Sequence, residues 1–220
     1  MITVEKHLAV MINGFTTNTY IVTDAETGAT AVVDPSLPEK TLLEKLSGKD
    51  VQYILFTHGH SDHSCGAKMV KENTGAKTVI HKDEEEMFHD VTKNEFQANC
   101  DLLDEDFPDV QMDVLTEDGT ELMLGNTKIT VMHTPGHSMG SVCYLFMEDK
   151  IMFSGDTLFR LTAGRTDLYG GDAREELRSL AKIGKLEGDY KVYPGHEEDT
   201  TLDFERKNNQ YMRTRFRKEK

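Results

Sequence analysis

Tryptophan is absent from this 220-residue chain, proline occurs five times and cysteine three times. Cysteines this sparse, at Cys65, Cys100 and Cys143 with no C-x-x-C pair, exclude a disulfide-framed small scaffold and a thiolate zinc cluster. No apolar run approaches the roughly 18 residues that a bilayer span needs, and the first ten residues carry Glu5, Lys6 and His7 where a signal peptide would be apolar. The expectation is a cytoplasmic protein that does not engage a membrane. Positive charge is also short. Lys and Arg number 25 against 39 Asp and Glu, for a net charge of -14. Such a surface repels nucleic acid, so nucleic acid is not expected as a partner.

What charge there is lies unevenly. The segment 81–118 holds fourteen acidic and two basic residues, and 206–220 holds seven basic and one acidic. The first reads as an acidic surface insertion and the second as a basic C-terminal helix and tail, both solvated. Between them the chain alternates. Strands are expected at Val4–Val10, Thr19–Val22, Ala29–Val33, Val51–Phe56, Lys77–Ile80, Ile129–Met132, Ser141–Phe146, Lys150–Phe153 and Lys191–Tyr193. Helices are expected at Pro38–Leu46, Cys65–Glu72 and Ala173–Ile183, and from Leu202 onward. Asn13-Gly14 and Thr27-Gly28 mark turns. No internal repeat and no linker interrupts this order. The class is α/β with mixed sheets, in one domain over 1–220.

One motif stands out: Thr57-His58-Gly59-His60-Ser61-Asp62-His63, at the end of an apolar strand. Residues i and i+2 of an extended segment point the same way, so His58 and His60 converge on one metal. After the turn, Asp62 and His63 face a second. By chance the H-x-H-x-D-H pattern occurs in roughly one chain in a thousand of this composition, so a functional reading is favoured. Three further strand ends carry ligand types behind a tight glycine turn: Thr134-Pro135-Gly136-His137, Ser154-Gly155-Asp156-Thr157 and Tyr193-Pro194-Gly195-His196. Imidazole and carboxylate suit zinc, iron or manganese. His7, His81 and His89 read as structural, and His133 as a packed histidine behind the site. Cys65 reads as a small residue opening a helix rather than as a reactive or metal-tuning thiol.

In this order the motifs resemble the metallo-β-lactamase superfamily, and within it the short bacterial glyoxalase II-like (hydroxyacylglutathione hydrolase-like) proteins. Gly155-Asp156-Thr157-Leu158-Phe159 and Gly164-Arg165-Thr166-Asp167 add to the likeness, which runs from Asn18 to His196. The resemblance implies an αββα sandwich of two mixed sheets flanked by helices. It implies two divalent metals, zinc foremost. His58, His60 and His137 would hold one, Asp62, His63 and His196 the other, and Asp156 would bridge them. Asp34 would support the ligands from behind. The implied activity is hydrolysis of a small thioester, of the hydroxyacylglutathione type, through a hydroxide between the metals, which Asp62 helps to orient. A thiolate leaves without a dedicated acid. Arg165 matches the family's basic substrate contact, and Tyr169 is a candidate aromatic one. Two positions that hold tyrosine in relatives hold Asp167 and Glu198 here, which disfavours an anionic glutathione tail. Persulfide dioxygenases, with one iron on His58, His137 and Asp156, share the same motifs and form one alternative, and a hydrolase of a non-glutathione ester is the other.

Overall fold

Strand β3 (Ala29–Val33) shows how this sequence makes layers. Ala29, Ala31 and Val33 pack into one apolar cluster, while Val32 packs into another on the opposite face. Alternation with both faces apolar is the mark of a strand buried on both sides. The computed structural model describes residues 1–11, 14–96 and 109–213. Among them, β1 (Ile2–Val10), β2 (Thr16–Asp24), β3, β4 (Asp50–Leu55), β5 (Lys77–His81) and β6 (Val114–Thr116) form a six-stranded sheet in that order. The pairs from β1 to β3 are antiparallel and those from β3 to β6 parallel.

The second sheet is built from β7 (Glu121–Leu124), β8 (Thr127–His133), β9 (Val142–Phe146), β10 (Ile151–Gly155), β13 (Lys191–Pro194) and β14 (Thr200–Thr201), in spatial order β14-β13-β10-β9-β8-β7. Only β10 and β13 pair in parallel. Two short strands, β11 (Leu158–Phe159) and β12 (Thr162–Ala163), form a small ribbon.

The sheets face each other across Tyr20, Leu55, Val79, Val131, Tyr144 and Phe153. Helices α1 (Lys40–Leu46), α2 (Ala67–Thr74) and α3 (Glu85–His89) cover the outer face of the first sheet through Leu42, Val70 and Phe88. Helices α4 (Ala173–Ile183), α5 (Leu202–Asn208) and α6 (Gln210–Arg213) cover the second through Leu180, Leu202 and Met212. The result is the four-layer αββα arrangement.

Most expected elements stand within two residues of their predicted ends. Helix α4 starts where Asp172 caps it, its carboxylate accepting from Arg174 N at 2.7 Å and Glu175 N at 3.1 Å. The last helix breaks in two. Asn209 is extended and buried, and its Nδ2 donates to Thr162 O and Glu205 Oε2, both at 2.9 Å. Within the acidic segment, β6 extends the first sheet and α3 packs on it. Its stretch 97–108, with Cys100, and the tail 214–220 lie outside the described residues, as does Asn13 of the first turn.

Candidate metal centre

Four strands deliver their last residues to one edge between the sheets. β4 runs into Thr57-His58, β8 into the loop to His137, β10 into Asp156, and β13 into Gly195-His196. Val142 N donates to Thr57 O at 2.8 Å and Asn18 N to Gly195 O at 2.7 Å, which ties the two sheets together beside the site. The motif after β4 continues as a short 3-10 turn, Ser61–His63, and that turn brings Asp62 and His63 round beside His58.

Two donor sets result. His58, His60 and His137 form one, and Asp62, His63 and His196 the other, with ligand-type atoms in each set within 4.8 Å of one another. All six are buried. Asp156 lies between the sets. Its Oδ2 is 3.6 Å from His137 Nε2 and 3.2 Å from His196 Nε2, and its Oδ1 is 3.4 Å from His63 Nε2.

The outward nitrogens of four histidines are anchored, which turns their other nitrogens inward. His137 Nδ1 donates to Arg165 O at 2.8 Å and His196 Nδ1 to Thr16 O at 2.7 Å. His63 Nδ1 donates to Asp34 Oδ2 at 3.0 Å. Thr57 Oγ1 donates to Asp34 Oδ2 at 2.6 Å, so it accepts from His58 Nδ1 at 3.0 Å. Asp34 Oδ1 also accepts from Thr57 N at 2.8 Å. Asp34 thus hydrogen-bonds the residues that position His58 and His63, and with those two histidines it also brings ligand-type atoms within 4.8 Å of one another. His60 differs: it brings Nδ1 to 2.9 Å from His137 Nε2. Buried atoms left with no hydrogen-bond partner include His58 Nε2, His60 Nε2 and Asp156 Oδ1. A buried orphan of this kind costs about 1–3 kcal/mol, and a cation among imidazole and carboxylate donors would satisfy His58 and Asp156. The donor set fits a pair of divalent metals.

Electrostatics agree with this division. Burial, reinforced by neighbouring imidazoles, holds His58 and His60 well below the usual histidine range, so both are neutral donors. Burial also opposes charge on His63, but Asp156, Asp62 and Asp34 outweigh it and push its pKa up to about 10. For Asp156 burial is likewise overcome, here by His196 and His63, and its carboxyl sits well below the usual range. The His63 side of the centre is thus the anionic side.

Glycine is required here by close approach. A Cβ at Gly195 would stand 2.1 Å from Asp156 Oδ1 and 2.6 Å from His63 Cε1. Gly155 has φ +49 and would press a Cβ to 2.5 Å from Thr57 Oγ1. The Gly195 turn therefore brings backbone against Asp156 and His63, and the Gly155 turn brings it against Thr57.

Of the remaining candidates, Arg165 lies on the rim of the cleft above the centre. Tyr169 is not among the described residues that line that cleft, and the Lys93 ammonium lies over its ring at 5.0 Å. Cys65 is buried and disulfide-bonded, so it supplies no thiolate. Cys143 is free, but burial raises its pKa to about 12. His7 pairs with Glu39 and His89 with Asp109, away from the centre.

Sequence reasoning missed Glu84. It is buried just after β5, and its carboxylate accepts from Gly59 N at 2.8 Å and Gly140 N at 2.6 Å. It thereby clamps the loop of His58 and His60 to the loop that follows His137. No spacing rule marks it, because it sits in a run of four acidic residues. Phe15 was missed as well. Its ring lies 4.5 Å from that of His196, and it lines the cleft of about 460 Å³ together with Phe159, Ala163 and Arg165.

The sequence profile of the metallo-beta-lactamase superfamily matches residues 12–196. The hydroxyacylglutathione hydrolase of Maricaulis maris is 34% identical over 179 residues, which cover 81% of this chain and 61% of that protein. Among solved structures, the B3 metallo-beta-lactamase BLEG-1 superposes with a TM-score of 0.84 at 28% identity, over 96% of this chain and 99% of its own. TTHA1623, solved in a di-iron-bound form, gives 0.76 at 30% identity, over 92% and 98%. With the profile spanning most of the chain and the αββα layers and strand-end donors in place, the chain belongs to the metallo-β-lactamase superfamily.

Proposed function

We propose that this protein is a dinuclear metal hydrolase of small thioesters or esters, zinc being the first choice of metal. One observation carries the reading: the carboxylate of Asp156 lies between two three-residue donor sets, within 3.6 Å of histidine nitrogens of both. His58, His60 and His137 would hold one cation, and Asp62, His63 and His196 the other. A bound pair of cations would lower the pKa of water toward neutrality and polarise the substrate carbonyl.

The chain's own residues do the rest. Asp34 and Thr57 keep His58 and His63 in the tautomer that presents Nε2 inward. Asp62, whose Oδ2 accepts from Thr17 at 3.4 Å, orients the attacking water. Phe15 and Phe159 wall the cleft and exclude bulk water from one side. Water gives up one proton to solvent as its oxygen bonds to the acyl carbon, the C–S bond breaks, and its electron pair leaves with sulfur. The carboxylic acid product then releases a proton. A thiolate is a good enough leaving group that no proton donor is required. The family relationship and the hydroxyacylglutathione hydrolase relative support this reading.

The test is hydrolysis by zinc- or iron-reconstituted protein of a panel containing S-lactoylglutathione, phenyl thioacetate, p-nitrophenyl acetate and a chromogenic β-lactam. His58→Ala serves as control, and bound metal is counted. Two metals per chain with mutation-sensitive thioester turnover is the expected result. One iron per chain with oxygen uptake on a persulfide, and no hydrolysis, would replace the reading with the dioxygenase.

A further inference from the structure

The cleft above the donor sets has aromatic and small apolar walls: Phe15, Phe159 and Ala163. Its polar rim carries two acids, Glu95 and Glu197, and one cation, Arg165, among the described residues that line it. That cation is already engaged. Arg165 Nε and one terminal nitrogen donate to the two oxygens of Asp167 at 2.7 and 2.8 Å. The next cation along, Arg160, donates to Glu198 at 2.6 Å and lies over the Phe204 ring. Among the described residues, Arg165 at the cleft and Arg160 beyond it thus each carry a carboxylate of their own.

From this pairing we infer that the cleft selects thioesters or esters whose leaving group is uncharged and apolar, and discriminates against leaving groups bearing carboxylates. This rests on the hydrolase reading and names its substrate class. An exposed ion pair is weak, and a substrate carboxylate could in principle displace Asp167. Asp167, however, is tethered two residues from Arg165 in bidentate geometry, so its effective concentration is on the order of millimolar or higher. A diffusing anion at lower concentration loses that competition, and it also meets Glu95 and Glu197. An apolar leaving group meets Phe15 and Phe159 and gives up no ion pair.

The experiment compares kcat/KM for S-lactoylglutathione and phenyl thioacetate, using metal-loaded wild type and Asp167→Asn. Asp167 is exposed, so the variant should fold. Wild type should favour phenyl thioacetate by at least about ten-fold, beyond the ratio of the two uncatalysed rates. In Asp167→Asn the anionic-to-neutral ratio should rise about ten-fold, and most of that gain should vanish in 0.5 M salt. Turnover of both substrates with S-lactoylglutathione preferred, or a ratio unmoved by Asp167→Asn, overturns the inference and leaves the hydrolase standing. Failure to turn over either substrate overturns both.

Discussion

Two groups of histidines in this molecule contain similar donors and do different things. In the strand-end centre, neighbouring rings cross steeply: His58 meets His60 at 88°, His137 meets His58 at 83°, and His63 meets His196 at 86°. At the ends of β5 and β8, His81 and His133 lie stacked, 4.1 Å apart and 13° from parallel. With Asp83 they too bring ligand-type atoms within 4.8 Å of one another. Proximity alone therefore does not separate the two clusters. Ring orientation does, because imidazole lone pairs lie in the ring plane. Crossed rings aim at a common point, whereas parallel rings aim side by side. The nitrogens of the stacked pair also serve local structure: His133 Nε2 donates to Met139 O at 2.9 Å, and His81 Nδ1 accepts from Asp83 N at 3.3 Å.

The largest expected effect tests that distinction. Asp156→Asn should lower thioester turnover by at least about 10³-fold, given that it removes the bridging charge, and should reduce bound metal. His133→Gln should change neither by more than about two-fold. Elemental analysis and initial rates decide, and equal losses from both variants would erase the contrast. Gly195→Ala comes next. Its new Cβ must displace Asp156 or His63, and a displacement near 1 Å costs about 10²-fold in rate. Unchanged kinetics would show that the close approach is not needed. Third is Asp34→Ala, which leaves every metal donor in place but frees His63 and Thr57. Chelator competition should show metal affinity lower by about 10–100-fold.

These variants also mark how far the sequence could be read. H-x-H-x-D-H and the three glycine turns predicted which side chains meet, because ligand spacing and strand ends are local properties. Asp34 was legible only through resemblance, although it stands in an Asp-Pro turn. Glu84 was not legible at all: what distinguishes it from Glu85 and Glu86 is burial against Gly59 and Gly140, which arises only when β5 packs beside the centre. The same holds for β6 and β7. Each has three or four residues, too few for a periodic signal, and they are fixed by pairing with β5 and β8. For Tyr169, nothing local shows that Lys93 would lie over its ring.

The smallest effect concerns the stacked pair itself. Burial lowers the pKa of His81 to about 4, with the His133 and Lys82 charges adding to it and Asp83 and Glu117 opposing it. Between the ordinary histidine value near 6.5 and about 4, the unfolded chain binds a proton at this residue that the folded chain refuses. The stability that neutral His81 contributes is therefore complete above pH 6.5 and declines as the pH falls toward 4. His81→Phe keeps an aromatic ring against His133 but does not titrate, while Asp83, Lys82, Glu117 and His133 all remain. Melting temperatures of wild type and variant, measured from pH 7 to 4, should converge or cross as the wild type loses this contribution. Parallel curves would mean that His81 charges as readily in the folded chain as in the unfolded one, and that stacking, not neutrality, is what the pair supplies.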